Sequence, residues 1–415
     1  MGKLALKGGQ KLYNDISKDF NHPQISDEYI SSLNDKKTRS QISSFDGEGL
    51  INSVQDQFKS KFGVKYALAM NSGTSALFSM FYAHGLGLND EVIVPAYTFF
   101  ATATPLFILG CTPILADALD NGNIDPKDIR KKITSKTKAI VITHMWGIPC
   151  DMDEIMQIGE EYNLPILEDT SHAHGALYNG RVAGTFGSAS AWSLGAKKLI
   201  TGGQGGMMGT NNLNVYQKAI LVGQANNKII KEITNSYLLP YSITGTGLNL
   251  RMHPFSAALI QEQIIDFDKQ LLQRREVAKY LTNEILKMSG LSLPRIPNDS
   301  DPSWYAFPIL YDPNNFKGIS KQLFVKALNA EGAIDFDIPN STCPLTEFAS
   351  FRNTKVSFDQ EIQKEVFTNG QLKGAERFHH RLFKLPTWYG PRRMEYAKAH
   401  IEALKKVIDN LDELI

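Results

Sequence analysis

Residues 64–95 read VKYALAMNSGTSALFSMFYAHGLGLNDEVIVP, and this stretch contains the unit from which the fold can be inferred. An apolar run at 64–70 ends in a small polar turn at 71–75. A helical pattern follows over 76–84, and a second apolar run occupies 91–95. Strand, helix and strand in this order predict two parallel strands joined by a helix that packs across them.

The same alternation continues along the chain. We predict further strands at 112–117, 138–144, 165–169, 189–194 and 206–209, and helices at 98–109, 126–132 and 152–162. This rhythm predicts an α/β fold with a largely parallel sheet wrapped by helices. In such sheets the functional residues lie at the carboxyl ends of the strands.

The pattern changes beyond residue 212, where helices predominate. A long amphipathic segment from 256 to about 288 is long enough to link two lobes, and a mixed strand and helix texture follows it. We therefore predict an N-terminal arm over 1–45, a large α/β domain over 46–275 and a smaller α+β domain over 276–415.

Composition excludes several classes of function. The 415 residues carry 44 Lys and Arg against 43 Asp and Glu, so no basic field favours nucleic acid as a partner. Three scattered cysteines without a CxxC pair fit a reducing compartment and argue against a zinc site. No apolar run approaches the ~18 residues of a membrane span, and the first residues lack a signal-peptide pattern. We expect a cytoplasmic protein.

The turn at 71–75, NSGTS, joins a strand to the start of a helix. Free backbone N–H groups and the helix dipole make such a turn an anion site, to which Thr74 and Ser75 add hydroxyl groups. A phosphate cradle is one interpretation, and a simple helix cap is the other. The later stretch 245–252, GTGLNLRM, has the same ambiguity between polar contacts to an anion and a loop that leads into a helix.

Residues 167–175, LEDTSHAHG, place two acids at the carboxyl end of an apolar strand. A buried carboxylate at this position needs a cationic partner, and a pyridinium nitrogen is one. Two other interpretations stay open. Asp169, His172 and His174 could bind a metal, although their spacing defines no ligand geometry, or the acids could have a purely structural role.

Residues 192–206, WSLGAKKLITGGQGG, place Lys197 and Lys198 after an apolar strand and before a glycine-rich turn. A lysine in such a costly position makes sense if its amine forms an imine with a carbonyl cofactor. A pair of surface lysines is the alternative. Earlier in the chain, the aromatic residues of 95–102, PAYTFFAT, follow a buried strand and could stack on a planar ring or simply fill the core.

These four features match one ligand. A phosphate needs a helix N-terminus, a pyridinium needs a carboxylate, an aromatic ring needs a stacking face, and an aldehyde needs a lysine. Pyridoxal 5′-phosphate has all four groups, and we predict it as the cofactor, with no metal.

The order of these motifs closely resembles that of the DegT/StrS-type aminotransferases, which act on keto-sugars of nucleotide sugars and on keto-cyclitols. The resemblance is carried by NSGTSAL, VIVPAYTFFATA, VITHMWGIPCDMDEI, LEDTSHAHGA, WSLGAKKLITGGQGG and GLNLRM, within residues 45–290. It implies the aspartate-aminotransferase type of fold (fold type I), with a mostly parallel seven-stranded sheet and a smaller α+β domain. It also implies a homodimer whose active sites are shared between subunits.

The resemblance assigns the imine-forming lysine to Lys198 rather than Lys197. The anchors are the spacing to the glycine-rich turn and to Ser193, five residues upstream. In the family that serine joins the phosphate site, together with the residues that match Gly73, Thr74 and Ser75.

The remaining cofactor contacts are assigned in the same way. The partner of the pyridinium nitrogen is Asp169, and His172 occupies the position three residues further on. The stacking aromatic residue is Phe99. Asn249 matches the asparagine that reaches the phosphate bound by the neighbouring subunit.

The predicted activity is therefore the transfer of an amino group from glutamate or glutamine to a keto-sugar or keto-cyclitol, as in amino-sugar biosynthesis. A sugar dehydratase of the same family is one alternative, but there a histidine replaces the lysine. A non-enzymatic ligand-binding or regulatory protein on the same fold is the other alternative.

Overall fold

The structure is a computed structural model that describes residues 2–23, 25, 27–34, 42–43, 46–352 and 370–415. Parts of the predicted N-terminal arm, at 24, 26, 35–41 and 44–45, lie outside the described residues. The described strands are β1 (Tyr66–Met70), β2 (Glu91–Pro95), β3 (Tyr97–Phe99), β4 (Thr112–Ala116), β5 (Thr137–Thr143), β6 (Ile166–Asp169), β7 (Leu177–Tyr178), β8 (Arg181–Val182), β9 (Ala189–Ser193), β10 (Gly206–Thr210), β11 (Leu291–Ser292), β12 (Ser300–Asp301), β13 (Phe307–Tyr311), β14 (Thr342–Pro344) and β15 (Leu382–Leu385).

The α-helices alternate with these strands in the first half of the chain and predominate after residue 212. In chain order they are α1 (Asp27–Asn34), α2 (Leu50–Phe62), α3 (Gly73–Ala83), α4 (Thr104–Ile108), α5 (Pro126–Lys132), α6 (Met152–Glu161), α7 (Leu213–Ile220), α8 (Asn226–Glu232), α9 (Pro254–Ile285), α10 (Lys321–Ala330), α11 (Ala349–Arg352), α12 (Lys373–Arg381) and α13 (Arg393–Asp409). Among the described residues, none of these helices is long and apolar enough to cross a membrane.

The main sheet has seven strands in the order β1-β10-β9-β6-β5-β2-β4. All neighbours pair in parallel except β10, which is antiparallel to both β1 and β9. This confirms the predicted α/β fold with a mostly parallel sheet of seven strands. Since most strands are buried on both faces, they are built from continuous apolar runs rather than from alternating residues.

The reversed strand β10 brings the glycine-rich turn to the functional edge of the sheet. Its first residue, Gly206, pairs with Met70 at the end of β1 and with Ser193 at the end of β9. A Cβ atom on Gly206 would lie 2.1 Å from the carbonyl oxygen of Ser72, so only glycine allows this approach. Similarly, a Cβ on Gly73 would lie 2.7 Å from the Cβ of Ser193. The start of β10 therefore lies against the turn after β1, and the start of α3 lies against the end of β9.

The helix predicted at 98–109 is wrong in its first half. The chain there forms β3, then a 3-10 turn at Phe100–Thr102, and α4 begins only at Thr104. The reason is a tertiary contact, because β3 pairs with β14 from the C-terminal part of the chain. Pro105, in the first turn of α4, fits a helix start at this point.

A second core surrounds the small sheet β11-β13-β15, with α10 and α13 packed on it. The long helix α9 contributes to both cores. Its residues Phe267 and Leu271 pack in a cluster beside the main sheet, whereas Val277 and Leu281 belong to the second core. The predicted domain limits at 45 and 275 stay predictions.

The first residues of the chain pack on this second core. Leu4 is fully buried there, and the N–H of Ala5 donates to the carboxylate of Glu331 at 2.8 Å. Glu331 is itself buried and also accepts from Lys406 Nζ at 2.6 Å. The described start of the arm is thus tied to the C-terminal part by a hydrogen bond to a buried carboxylate, which is itself ion-paired with Lys406.

Candidate active site

A cavity of about 350 Å³ lies at the carboxyl edge of the main sheet. Its walls come from the turn after β1, from β3, from the end of β6 and from the loop between β9 and β10, with further residues from the C-terminal part. Seven of the predicted site residues line it: Gly73, Thr74, Phe99, Asp169, His172, Ser193 and Lys198. The volume falls within the range of about 300–1,000 Å³ that is usual for small-molecule sites.

Two predicted site residues, Ser75 and Asn249, do not line this cavity. The Ser75 hydroxyl donates to Asn71 at 2.6 Å, and its N–H donates to the capping hydroxyl of Ser72 at 3.1 Å. Asn249 is exposed and accepts from Arg251 Nε at 2.9 Å, in a segment that runs beside the end of β1. Their roles in cofactor binding stay predictions.

Lys198 is half-buried, while Lys197 is exposed. Burial lowers the pKa of Lys198 to about 8, and the negative charge of Asp169 partly opposes this shift. The Lys198 ammonium lies 4.7 Å from the centre of the Tyr305 ring. An amine with a lowered pKa in a cavity has the neutral form that a nucleophile requires, so Lys198 is the better candidate of the two lysines.

We expect this pKa to control cofactor uptake by the apo protein. Only the neutral amine attacks an aldehyde, so the rate should rise about tenfold per pH unit well below pH 8 and level off above it. Stopped-flow absorbance after adding pyridoxal phosphate measures this rate. Asp169→Asn removes the charge that raises the Lys198 pKa, so the plateau should begin at a lower pH. A rate independent of pH below 8 would contradict the assignment of Lys198.

Asp169 is almost completely buried, with 4% of its surface exposed. Its carboxylate accepts from Thr102 Oγ1 at 2.7 Å and from the N–H of Ser171 at 3.1 Å. In the described part of the chain, no Lys, Arg or His nitrogen lies within ion-pair distance of it. A buried carboxylate that faces a cavity without a direct cationic partner suits a ligand that brings the cation.

The neighbouring acid, Glu168, points away from the cavity because successive side chains of a strand alternate. It is fully buried and accepts from His144 Nε2 at 3.0 Å and from the N–H groups of Gly184 and Gly187. Since His144 Nδ1 accepts from the N–H of Cys150, its proton is on Nε2 and faces Glu168. The structure thus separates the two adjacent acids into a structural one and one that faces the cavity.

His172 is buried and stacks on Tyr305, with ring centres 4.1 Å apart and planes 15° apart. Trp146 lies beside this pair with its ring nearly parallel to both, at 5.5 Å from His172 and 6.3 Å from Tyr305. Burial holds the pKa of His172 well below its usual range, so its ring is neutral. Its Nδ1 is buried and has no partner among the described residues, which leaves it available to a ligand.

Tyr305 was not predicted from the sequence. It sits in the stretch 300–311 after a change of texture, where no motif distinguishes it, and it reaches the site only because the C-terminal part folds against the main sheet. Together with Ser341 and Thr342 it forms the wall contributed by that part. The metal interpretation gains no support, since no cluster of three or more His, Cys, Asp or Glu among the described residues could hold an ion.

Phe99 lies at the rim of the cavity, 37% exposed, with its ring 4.2 Å from that of Phe100. Its place at the end of β3 follows from pairing with Thr342 of β14. The start of α3 also lines the cavity, where the helix begins at Gly73 behind the capping residue Ser72 and has its first N–H groups free. The cavity thus has an exposed aromatic face and a helix N-terminus.

These features fit pyridoxal phosphate. The described residues provide a lysine with a lowered pKa and a helix N-terminus for a phosphate. They also provide a buried carboxylate that has no ion-pair partner among them and a buried imidazole nitrogen that has no hydrogen-bond partner among them. The fit rests on the donors present and on their burial, which together offer one complementary group for each part of that molecule.

Comparison with protein families gives a match over most of the chain. The model of the DegT/DnrJ/EryC1/StrS aminotransferase family matches residues 27–399. A dTDP-3-amino-3,6-dideoxy-alpha-D-galactopyranose transaminase from Aneurinibacillus thermoaerophilus is 32% identical over 77% of this chain and 84% of its own length. An L-glutamine:scyllo-inosose aminotransferase from Streptomyces griseus is 26% identical over 99% of both chains.

Solved structures agree with this match. The aminotransferase from Psychrobacter cryohalolentis superimposes with a TM-score of 0.80 and 26% identity, and the alignment covers 94% of this chain and 98% of that one. The overlap extends well beyond the main sheet and includes the C-terminal part.

Proposed function

The chain belongs to the DegT/DnrJ/EryC1/StrS aminotransferase family, and we propose that it transfers an amino group from glutamate or glutamine to a keto-sugar or keto-cyclitol, with pyridoxal phosphate bound at Lys198. The observation that carries the proposal is that Lys198 and Asp169 line the same cavity. A half-buried lysine whose pKa is about 8 and a buried carboxylate without an ion-pair partner are the two groups that this chemistry requires.

The cofactor, when bound, supplies an aldehyde that receives the amino group and a pyridinium ring that accepts electrons from the donor's Cα–H bond. Lys198 has two tasks in turn. Its amine would hold the cofactor at rest, and when free, its Nζ would take the proton from the donor's Cα. A pKa near neutrality suits both tasks, because the amine can lose and regain a proton at working pH.

Asp169 would keep the ring nitrogen protonated by offering a buried carboxylate. Its two hydrogen bonds, from Thr102 and Ser171, orient the carboxylate while leaving its charge uncompensated. His172, held by its contacts with Tyr305 and Trp146, would offer its Nδ1, which has no partner among the described residues, to the cofactor ring. The N-terminus of α3 and the hydroxyls of Thr74 and Ser193 bind the phosphate.

The substrate class rests on two relatives of different kinds. One is named as a nucleotide-sugar transaminase and the other as a cyclitol aminotransferase, and the latter aligns with nearly the whole chain. The lysine at position 198 distinguishes the proposal from a dehydratase, in which this residue is a histidine.

The same proposal includes a homodimer. The segment before Asn249 exposes large apolar side chains, among them Tyr237, Tyr241 and Leu248, with Tyr237 86% exposed. A row of exposed apolar residues on an irregular segment is typical of a surface that a partner covers. In a dimer, this segment would carry Asn249 toward the site of the other subunit.

The proposal is tested by a panel of acceptors. Nucleotide-linked keto-sugars and keto-inositols are incubated with the purified protein and either glutamate or glutamine, and the keto acid derived from the donor is measured together with the aminated acceptor. We expect continued turnover, with keto acid and aminated acceptor formed in equal amounts, when an acceptor of one class is present. Without an acceptor, the donor should yield no more than one equivalent of keto acid per active site. A protein that never takes up pyridoxal phosphate would refute the proposal.

A further inference from the structure

A second cavity of about 500 Å³ adjoins the candidate active site. Lys197 and Tyr305 line both cavities, so the second one begins where the first one ends. Its other walls come from Phe20 and His22 of the N-terminal segment, from α9 through Arg274, and from the C-terminal part. The cofactor proposed for the first cavity does not account for this second cavity.

Arg274 is the unusual residue of this cavity. Only 6% of its surface is exposed, and it lies on the buried face of α9. One guanidinium nitrogen, Nη1, donates to the carbonyl oxygen of Thr387 at 2.6 Å and to its hydroxyl at 3.3 Å. Within the described ranges, Nε and Nη2 make no hydrogen bond and no carboxylate pairs with the guanidinium. Burying a cation in this way is costly unless a ligand compensates it.

The contacts that Arg274 does make cannot neutralise it. Its guanidinium lies 4.7 Å from the centre of the Tyr389 ring, a favourable but weak contact. Burial lowers the pKa of Arg274 to about 10, which still leaves it charged at neutral pH. The site therefore holds a full positive charge beside an open space.

The acids that line the cavity have other partners. Asp337 forms an ion pair with Lys384 at 2.5 Å. Asp335 accepts from Trp388 Nε1 at 3.1 Å, and since this donor is neutral, Asp335 keeps its negative charge. Lys197 adds a further positive charge on the side of the active site. The balance on the cavity wall is thus positive, and it favours an anion.

His22 connects this cavity to Lys198. Its Nε2 lies 2.7 Å from the carbonyl oxygen of Lys198 and must donate to it, so Nδ1 accepts from the hydroxyl of Tyr389 at 3.0 Å. Burial and the charge of Arg274 lower the pKa of His22 to about 4, so the imidazole is neutral. His22 therefore does not compete with Arg274 for an anion, and it fixes the wall of the cavity to the backbone of the reactive lysine.

We propose that this second cavity receives the α-carboxylate of the amino-acid donor and that Arg274 is its anchor. The proposal rests on the proposed function and deepens it. An α-carboxylate is bonded to the carbon whose proton Lys198 removes, so it must bind within a few ångströms of that lysine. A guanidinium with two unused donor groups matches the two oxygens of a carboxylate. A phosphate group of the acceptor has similar chemistry, and the experiment separates the two sources.

The first test is a half-reaction without acceptor. Holoenzyme is mixed with L-glutamate or L-glutamine, and the loss of visible cofactor absorbance gives a half-saturating donor concentration and a rate at saturation. Arg274→Gln should raise the half-saturating concentration of both donors on the order of 100-fold, with a much smaller change in the saturated rate. Arg274→Lys, which keeps the charge, should recover part of the loss.

Arg275→Gln is the matched control. Arg275 is the next residue of α9, but it pairs with Asp301 at 2.8 Å and donates to the carbonyl oxygen of Gly175, outside the cavity. Its replacement should leave donor saturation unchanged. Arg274→Gln should likewise leave acceptor saturation unchanged in the full reaction. If only the half-saturating concentration of the acceptor rises, the cavity binds a phosphate of the acceptor and the proposal is overturned. The proposal is also overturned if the half-saturating concentrations of donor and acceptor both stay unchanged.

The second test uses the wild-type holoenzyme and does not depend on any variant folding. L-isoglutamine has an amide in place of the α-carboxylate, whereas L-glutamine has an amide in place of the distal carboxylate. We expect isoglutamine to saturate far more weakly than glutamine, and glutarate, which lacks an amine, to shift the cofactor absorbance without converting it. Equal saturation by isoglutamine and glutamate would overturn the α-carboxylate site. Failure of the proposed function looks different, because then no amino acid would change the absorbance.

Discussion

Replacing Lys198 by alanine is expected to abolish the visible absorbance of the bound cofactor and to lower aminotransferase turnover by at least about 10⁴-fold. The loss has two causes, since the same amine holds the cofactor and moves the proton at the donor's Cα. Lys198→Arg should be equally inactive, because a guanidinium keeps the charge but is not a nucleophile at working pH. Absorbance spectra of the purified variants and a keto acid assay measure both effects.

Lys197→Ala is the control for this prediction. Lys197 is adjacent in sequence, but its side chain is exposed, whereas that of Lys198 is half-buried. The Lys197 variant should therefore keep the cofactor absorbance. If instead Lys197→Ala loses the absorbance while Lys198→Ala retains it, the assignment of the two lysines is reversed.

Replacing Asp169 by asparagine is expected to reduce turnover by about 10²–10³-fold while leaving the fold intact. The amide keeps the size of the side chain. Its oxygen can accept from the N–H of Ser171, and its NH2 group, in place of the other carboxylate oxygen, can donate to the Thr102 hydroxyl. It removes the negative charge that holds the ring nitrogen in its protonated form. Since the carboxylate is buried without an ion-pair partner, the apo variant should be at least as stable as the apo wild type in thermal unfolding.

Thr102→Val provides the graded comparison. This change keeps the Asp169 carboxylate but removes its 2.7 Å hydrogen bond, so turnover should fall by much less than in Asp169→Asn. A combination of normal turnover and normal cofactor binding in Asp169→Asn would exclude Asp169 as the partner of the ring nitrogen. Steady-state kinetics with one donor and one acceptor are sufficient for the comparison.

The strands of the main sheet could be predicted closely, because their signal is local. Continuous apolar runs bounded by polar turns identify buried strands without knowledge of their neighbours, and the predicted bounds at 91–95 are those of β2. The helix at 126–132 was also predicted with its observed bounds, since Asp125 caps it and Pro126 starts it. Such features depend on residues only a few positions apart.

The errors and omissions concern features that depend on contacts between distant parts of the chain. The stretch 98–103 was predicted as the start of a helix, but it forms the end of β3 and a 3-10 turn, because the distant strand β14 pairs with β3. Helix α8 was missed, and so was Tyr305, whose ring lies beneath the Lys198 ammonium. No local pattern marks a residue whose importance comes from contact with another part of the chain.

By itself, the sequence determined the α/β class, the mostly parallel sheet and the set of polar residues that end its strands. It also singled out Lys198 and Asp169, whose chemical roles stay predictions. Only the tertiary structure showed that Glu168 is bound by His144 and two backbone N–H groups, which residues of the C-terminal part close the cavity, and that Arg274 is buried without an anionic partner among the described residues. The physical reason is range: periodicity and capping act over a few residues, whereas the burial and pairing of a charge depend on segments that meet only in the folded chain.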